Sequence, residues 1–168
     1  MKPPALSSRR PSRKVHVRTV PIGGGSPISI QSMTTTHTRD AAATVEQIRR
    51  LAAAGCELVR VAVPTAADAE AIGAIVAASP IPVIADIHFK TSLAIRSLRA
   101  GAAKVRLNPG NIDDPDGLKE VLRLAGELGR PVRFGVNSGS VRGAAAGTEG
   151  KDLARLMVDV LMDWVGQA

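Results

Sequence analysis

A chain of 168 residues, 45% of them hydrophobic, is long enough to close one core and does not read as disordered overall. Aromatic residues make up only 2%, with no tyrosine, which argues against single-strand nucleic-acid binding by base stacking. The formal charge of +7 belongs to one end: residues 1–18 hold six basic residues and no acid, leaving 16 basic against 15 acidic residues for the rest.

Residues 1–14 are expected to form a basic, disordered arm, since Met1 to Ser12 alone carries three prolines and three serines. Such an arm is either solvated or touches nucleic acid, and the even charge of the remainder favours the first. Arg9-Arg10 has the look of a twin-arginine signal, but no apolar segment follows, so export is not expected. One cysteine, Cys56, cannot close an internal disulfide and fits a reducing, cytoplasmic setting. No run of 18 or more apolar residues occurs, so no membrane span is expected.

Two extended runs, Val15–Ile22 and Pro27–Ile30, flank Gly23-Gly24-Gly25-Ser26 and predict a hairpin turning at the glycines. The second run, Ile28–Ser32, also reads as the first strand of a sheet and leads into the hydroxyl-rich loop Thr34–Thr36 and His37. Asp40 is placed to cap a helix over 41–54. A unit then repeats: strand 58–63, helix 65–79; strand 83–86, helix 91–100; strand 104–107, helix 115–128; strand 132–137, helix 151–165. Strands alternating with helices at about 25-residue spacing predict right-handed βαβ crossovers and a parallel sheet. Gly55, Gly101 and Gly129 each stand just past a helix, where C-caps are expected.

The strands repeat a second pattern. Side chains alternate along a strand, so Lys104, Arg106 and Asn108 share one face while Val105 and Leu107 share the other. In each strand one parity is wholly apolar: Val59, Val61 and Val63; Val83 and Ala85; Val132, Phe134 and Val136. The other parity carries Arg60, Asp86 with His88, Arg106 with Asn108, and Arg133 with Asn137. An open doubly wound sheet would need both faces apolar. Apolar side chains toward helices and polar ones toward the C-terminal mouth are the pattern of a (β/α)8 barrel. The expected fold is therefore α/β: a partial TIM barrel of about five parallel βα units behind an N-terminal β-hairpin.

Arg60, Arg106 and Arg133 are expected to converge from separate strands, with Asp86 as the one evident acid between them. Planar guanidinium forks in excess of carboxylates suit a diphosphate. The alternative is an internal salt-bridge network in which Asp86 and loop carboxylates neutralise them. His88 is either a general acid or a turn-holding histidine. Asn108 and Asn137 either bond a ligand oxygen or cap the following helix, and Asp86 either orients a hydroxyl or holds an arginine. No GxGxxG, Walker A, HExxH or CxxC motif occurs, so a nucleotide fold or a self-contained metal site has no support.

Five segments, Ile30–Asp40, Val59–Pro64, Ala85–Phe89, Val105–Ile112 and Gly135–Ser140, stand in an order and spacing that resemble the N-terminal part of the 4-hydroxy-3-methylbut-2-enyl diphosphate synthase family. The likeness covers about residues 9 to 140 and thins beyond Ser140. It implies an iron–sulfur oxidoreductase of the methylerythritol phosphate route to isoprenoids. Its reaction is the reductive ring opening of 2-C-methyl-D-erythritol 2,4-cyclodiphosphate. Residues matching Arg60, Arg106 and Arg133 would grip the diphosphate, with Asp86, Asn108 and Asn137 in the same pocket. A 4Fe-4S cluster on a C-terminal domain, fed by flavodoxin or ferredoxin, would supply electrons, and full-length members would work as a homodimer. The cluster's cysteines have no counterpart here, so residues 15–168 are expected to form an incomplete barrel domain that is inactive alone. Two rivals stand beside this reading: a pterin-binding-type barrel transferase, and a non-catalytic anion- or nucleic-acid-binding fragment working through its basic arm.

Overall fold

Helix boundaries are set by side chains that take over the amides a helix leaves unpaired. The computed structural model describes residues 11–112, 114–137 and 151–166. Asp40 Oδ1 accepts from the Ala43 amide at 3.0 Å and starts α1, Ala41–Ala53. Thr65 and Asp68 form a reciprocal capping box at the head of α2, Ala66–Ala78. Helix α3 spans Thr91–Arg99, α4 spans Pro115–Glu127 and α5 spans Lys151–Gly166. Gly55, Gly101 and Gly129, just past α1, α3 and α4, all take the positive φ expected of C-caps.

Between the helices run β3 (Gln31–Met33), β4 (Leu58–Ala62), β5 (Val83–Ile87), β6 (Lys104–Leu107) and β7 (Val132–Phe134), parallel and in sequence order. An order without reversal keeps every crossover on one side of the sheet, because βαβ units share one hand. The helices therefore cover only one face, and that face holds the main core: Val59, Val61, Val63, Val83, Ala85, Val105 and Leu107 pack under Ile48, Ile72, Ile75, Leu98, Leu118 and Val121. Helix α5 joins this layer through an edge-on contact between Trp164 and Phe134, ring centroids 5.7 Å apart. This is the partial barrel expected from the strand parity. Strand β7 is shorter than expected, ending at Phe134 rather than residue 137.

The hairpin is present but turns elsewhere. Strands β1 (Val15–Val17) and β2 (Val20–Ile22) pair antiparallel, with Val17 opposite Val20. The turn falls at Arg18 and Thr19, and Arg18 takes φ 52°. Non-glycine residues seldom adopt that conformation, which is why sequence reasoning moved the turn to the glycines. Gly23 and Gly24 instead let the chain fold back against residues 12–14; a Cβ on Gly24 would lie 2.7 Å from Lys14 Cβ. Pro27–Ile30 is not a strand: Ile28 is largely exposed, and regular pairing begins at Gln31 opposite Leu58. Of the expected basic arm, residues 1–10 lie outside the described residues.

The hairpin has a structural task. Val17, with Val20 and Ile22 beside it, packs on Leu58, Ile84 and Ala103. Leu58 and Ile84 belong to the parity of Arg60 and Asp86, so the hairpin closes the inner face at the N-terminal ends of the strands. That apolar plug is the floor on which the polar wall stands.

Helices α3 and α4 are tied at their first turns. The Thr91 hydroxyl bonds Asp114 Oδ2, while Asp114 Oδ1 accepts from the Gly117 amide at 2.9 Å. Those two bonds hold the Asp114 carboxyl below the usual carboxylate range. A Cβ on Gly117 would lie 2.0 Å from Asp114 Oδ2 and 2.3 Å from Thr91 Oγ1. Gly117→Ala is expected to lower the Tm by roughly 2–4 °C by expelling that cap. Gly126→Ala on the same helix, where a Cβ meets nothing within 4 Å, is expected to raise it. Parallel circular-dichroism melts of the two variants check the opposite signs.

Candidate functional site

Parallel pairing places side chains in rows across the uncovered face. Met33, Arg60, Ile84 and Lys104 form one row from β3 to β6. One pleat nearer the C-terminal ends, Ala62, Asp86, Arg106 and Arg133 form the next, from β4 to β7. His88 and Asn108 follow at the rim.

Asp86 is the hub. It is 1% exposed, and three cationic or titratable groups reach it. Arg106 Nη1 lies 3.1 Å from Oδ1; Arg60 Nε and His88 Nε2 lie 3.3 and 3.5 Å from Oδ2. Arg106 uses its other nitrogen as well, Nη2 donating to the Gly135 carbonyl at 2.9 Å. Arg60 rises from the lower row, and its Nε and Nη2 also contact Met33 Sδ at 3.3 Å. A buried carboxylate that receives two guanidinium groups is compensated and hydrogen-bonded, which such a charge requires.

The arginines are not compensated in return. Among the described residues three of them share the face with one aspartate, leaving two formal positive charges over. Arg133, directly beside Arg106 in register, is exposed and makes no ion pair among the described residues. Lys104 is half-buried, and burial first, then the neighbouring Arg133, hold its amine below the usual lysine range.

Arg60, Asp86, His88 and Arg106 are thus brought together, and Arg133 is adjacent to them. Asn108 is fully buried, and its Oδ1 accepts from the Gly110 amide at 3.2 Å, capping a 3₁₀ turn over Pro109–Asn111. Asn137 is exposed at the edge of the described residues. Two contributors were missed from the sequence-derived site. Gly135 cradles Arg106: a Cβ there would lie 3.0 Å from Arg106 Nε. Its signal was available, because a glycine within a strand pattern marks close approach of another group. Lys104 was visible as the first member of the polar face.

The first mouth loop is occupied by its own bonds. Gln47 Oε1 accepts from the Thr35 and Thr36 amides, and Thr38 Oγ1 donates to the Ala62 carbonyl. His37 lines a neighbouring cleft of about 260 Å³ with Arg39, Thr65 and Asp68. Asp68 there is buried and accepts from the Arg39 and Thr65 amides, so its carboxylate is already satisfied. A larger cavity, about 620 Å³, lies at the Gly23–Gly25 loop and has no charged lining residue among the described residues. The charge-bearing face is the better candidate.

No group of three or more His, Cys, Asp or Glu among the described residues is arranged to hold a metal ion. Cys56 is half-buried just before β4, at the end of the strand remote from the mouth. The described residues therefore offer no ligand set for a 4Fe-4S cluster, which takes cysteine-rich ligation. No helix among the described residues is long and apolar enough to cross a membrane.

Comparison with known proteins agrees with this geometry. The chain matches the model of the GcpE TIM-barrel domain over residues 12–168. A Salinispora arenicola protein named 4-hydroxy-3-methylbut-2-en-1-yl diphosphate synthase (flavodoxin) is 51% identical over 158 residues, covering 94% of this chain and 40% of that protein. A Corynebacterium jeikeium protein of the same name is 54% identical over 140 residues, covering 83% and 36%. The chain spans about 40% of the length of the curated relatives it matches. Among solved structures, dihydropteroate synthase from Yersinia pestis superposes with a TM-score of 0.61 at 16% identity, covering 92% of this chain and 58% of that one. The Vibrio fischeri dihydropteroate synthase gives the same score at 12% identity. Those two likenesses are of fold alone. With the match running through the strands that carry Arg60, Asp86, Arg106 and Arg133, the chain belongs to the GcpE TIM-barrel domain family.

Proposed function

We propose that this chain supplies the diphosphate-gripping wall of a 4-hydroxy-3-methylbut-2-enyl diphosphate synthase, acting in the reductive ring opening of 2-C-methyl-D-erythritol 2,4-cyclodiphosphate. Arg106 and Arg133 stand side by side in register on neighbouring strands, and Arg60 approaches from the row below. Asp86 holds Arg60 and Arg106 in place and orients the His88 ring near the rim. Asn108 shapes the turn after β6, and Asn137 continues the face of Arg133 beyond β7. The observation that carries the reading is the imbalance: one shared, buried carboxylate among three inward arginines. A dianionic ligand would restore neutrality, and guanidinium forks match phosphate oxygens in pairs.

Under this reading residues 15–168 form the first five βα units of a barrel domain whose closed form has eight strands. The reducing electrons would be supplied by a 4Fe-4S cluster, for which the described residues of this chain offer no ligands, with the flavodoxin of the relatives' names as the electron source. A homodimer and a cytoplasmic location belong to the same proposal.

The pterin reading is disfavoured by the same face. Pterin recognition by stacking needs an aromatic platform. Phe134 and Trp164 pack against each other on the helix-covered side, and Phe89 is exposed beyond β5. Calorimetric titration of the chain with the cyclic diphosphate, inorganic pyrophosphate and a pterin decides between them. The two phosphates are expected to bind, more weakly as salt rises, and the pterin not. Deleting residues 1–14 is expected to leave that binding unchanged. Pterin binding without phosphate binding, or loss of phosphate binding with the arm, would overturn the proposal.

A further inference from the structure

We infer that Lys104 is a phosphate-binding residue that meets the bound phosphate from beneath, extending the cationic wall along the row of Arg60, one row deeper than Arg106 and Arg133. The inference rests on the diphosphate reading and adds a residue to it. Lys104 lies in the row of Arg60 and Ile84, two residues before Arg106 on the same face of β6. Two residues of strand span about 6.6 Å, a distance the four-carbon lysine stem can cover by leaning along the strand. The amine can therefore reach the level at which Arg106 and Arg133 present their nitrogens.

Among the described residues nothing claims that amine. Below it lies the apolar hairpin plug of Val17, Val20 and Ile22 against Leu58 and Ile84. From β4 it faces Arg60, from β7 Arg133, and above it on its own strand Arg106. From β5 comes Asp86, with His88 at the rim. Asp86 is the sole acid of the five parallel strands, and Arg60, Arg106 and His88 already approach it. The Lys104 amine makes no hydrogen bond or ion pair among the described residues. A half-buried lysine among arginines, with no carboxylate of its own among the described residues, has its amine held below the usual lysine range while the face is empty. An arriving dianion reverses that balance, so binding should draw a proton onto Lys104.

The test is calorimetric titration of the 168-residue chain with inorganic pyrophosphate in two buffers of different ionisation heat, at mildly alkaline pH. Proton uptake is expected in the wild-type chain. Lys104→Met is expected to bind about tenfold more weakly and to lose the uptake. Lys104→Arg should restore most of the affinity without the uptake, since a guanidinium stays protonated. Affinity within about twofold of wild type in Lys104→Met, with uptake intact, would overturn the inference. Should Lys104→Met fail to fold, persistent uptake in Lys104→Arg would do so. If the wild-type chain binds neither pyrophosphate nor the cyclic diphosphate, the diphosphate reading fails and this inference with it. If the wild type binds and Arg106→Met does not, while both Lys104 variants are indifferent, the inference alone fails.

Discussion

Asp86→Asn is expected to destabilise the chain by about 3 kcal/mol and, at the same time, to enlarge the stabilisation that pyrophosphate confers. The carboxylate is 1% exposed and sits 3.1 and 3.3 Å from two guanidinium groups. Removing one member of a buried pair costs about 3–5 kcal/mol, because the charge left behind has lost its counterion. Here the arginines keep 12% and 27% of their side-chain surface in water, which places the cost at the lower end. Asparagine retains the shape and one acceptor but not the charge, so Arg60, Arg106 and Arg133 then repel without relief. An added phosphate anion supplies what the carboxylate did. Thermal melts with and without pyrophosphate should show a larger rise in Tm for the variant than for the wild type. An unchanged Tm in the variant, or a smaller rise on adding pyrophosphate, would mean that Asp86 is not the electrostatic keystone of this face.

How much of this was legible in the sequence depended on whether a feature was local. Alternation of Arg60, Asp86 and Arg106 with valines and leucines is written residue by residue, and it gave both the uncovered face and the barrel-like order. The helix ends were equally local: Asp40 and Thr65 cap within three residues of themselves. What was not legible was reach. Arg60 stands one row below Asp86, and only the direction of its side chain brings Nε to 3.3 Å. The sequence left open whether Asp86 would orient a ligand hydroxyl or hold an arginine; it holds two, because strands β4 and β6 flank β5. Asn108 was equally open, and its bond to the Gly110 amide shows the capping role. The hairpin was misplaced because Arg18 adopts a backbone conformation that favours glycine, five residues before real glycines used for close packing. Lys104 was seen on the polar face but left out of the site, because its lack of an acid partner appears only once Asp86 is shown to be engaged.

Gly135→Ala is expected to weaken pyrophosphate binding by about tenfold while leaving the fold intact, and Arg106→Met by about a hundredfold. The two effects have one cause. Arg106 is fixed at both ends of its fork, by Asp86 Oδ1 at 3.1 Å and the Gly135 carbonyl at 2.9 Å. A methyl group on Gly135 would stand 3.0 Å from Nε and 3.3 Å from Nη2, so the guanidinium must move by a few tenths of an ångström. Moving it stretches one anchor or the other, and a misaligned fork loses its paired grip on phosphate. Gly135 is not among the residues with positive φ, so alanine can take its backbone conformation and the disturbance stays with the side chain. If Gly135 acts only through Arg106, the alanine substitution should cost nothing further once Arg106 is methionine, and the double variant should match Arg106→Met. A full additional loss in the double variant would show instead that Gly135 shapes the phosphate site by its own backbone, independently of Arg106.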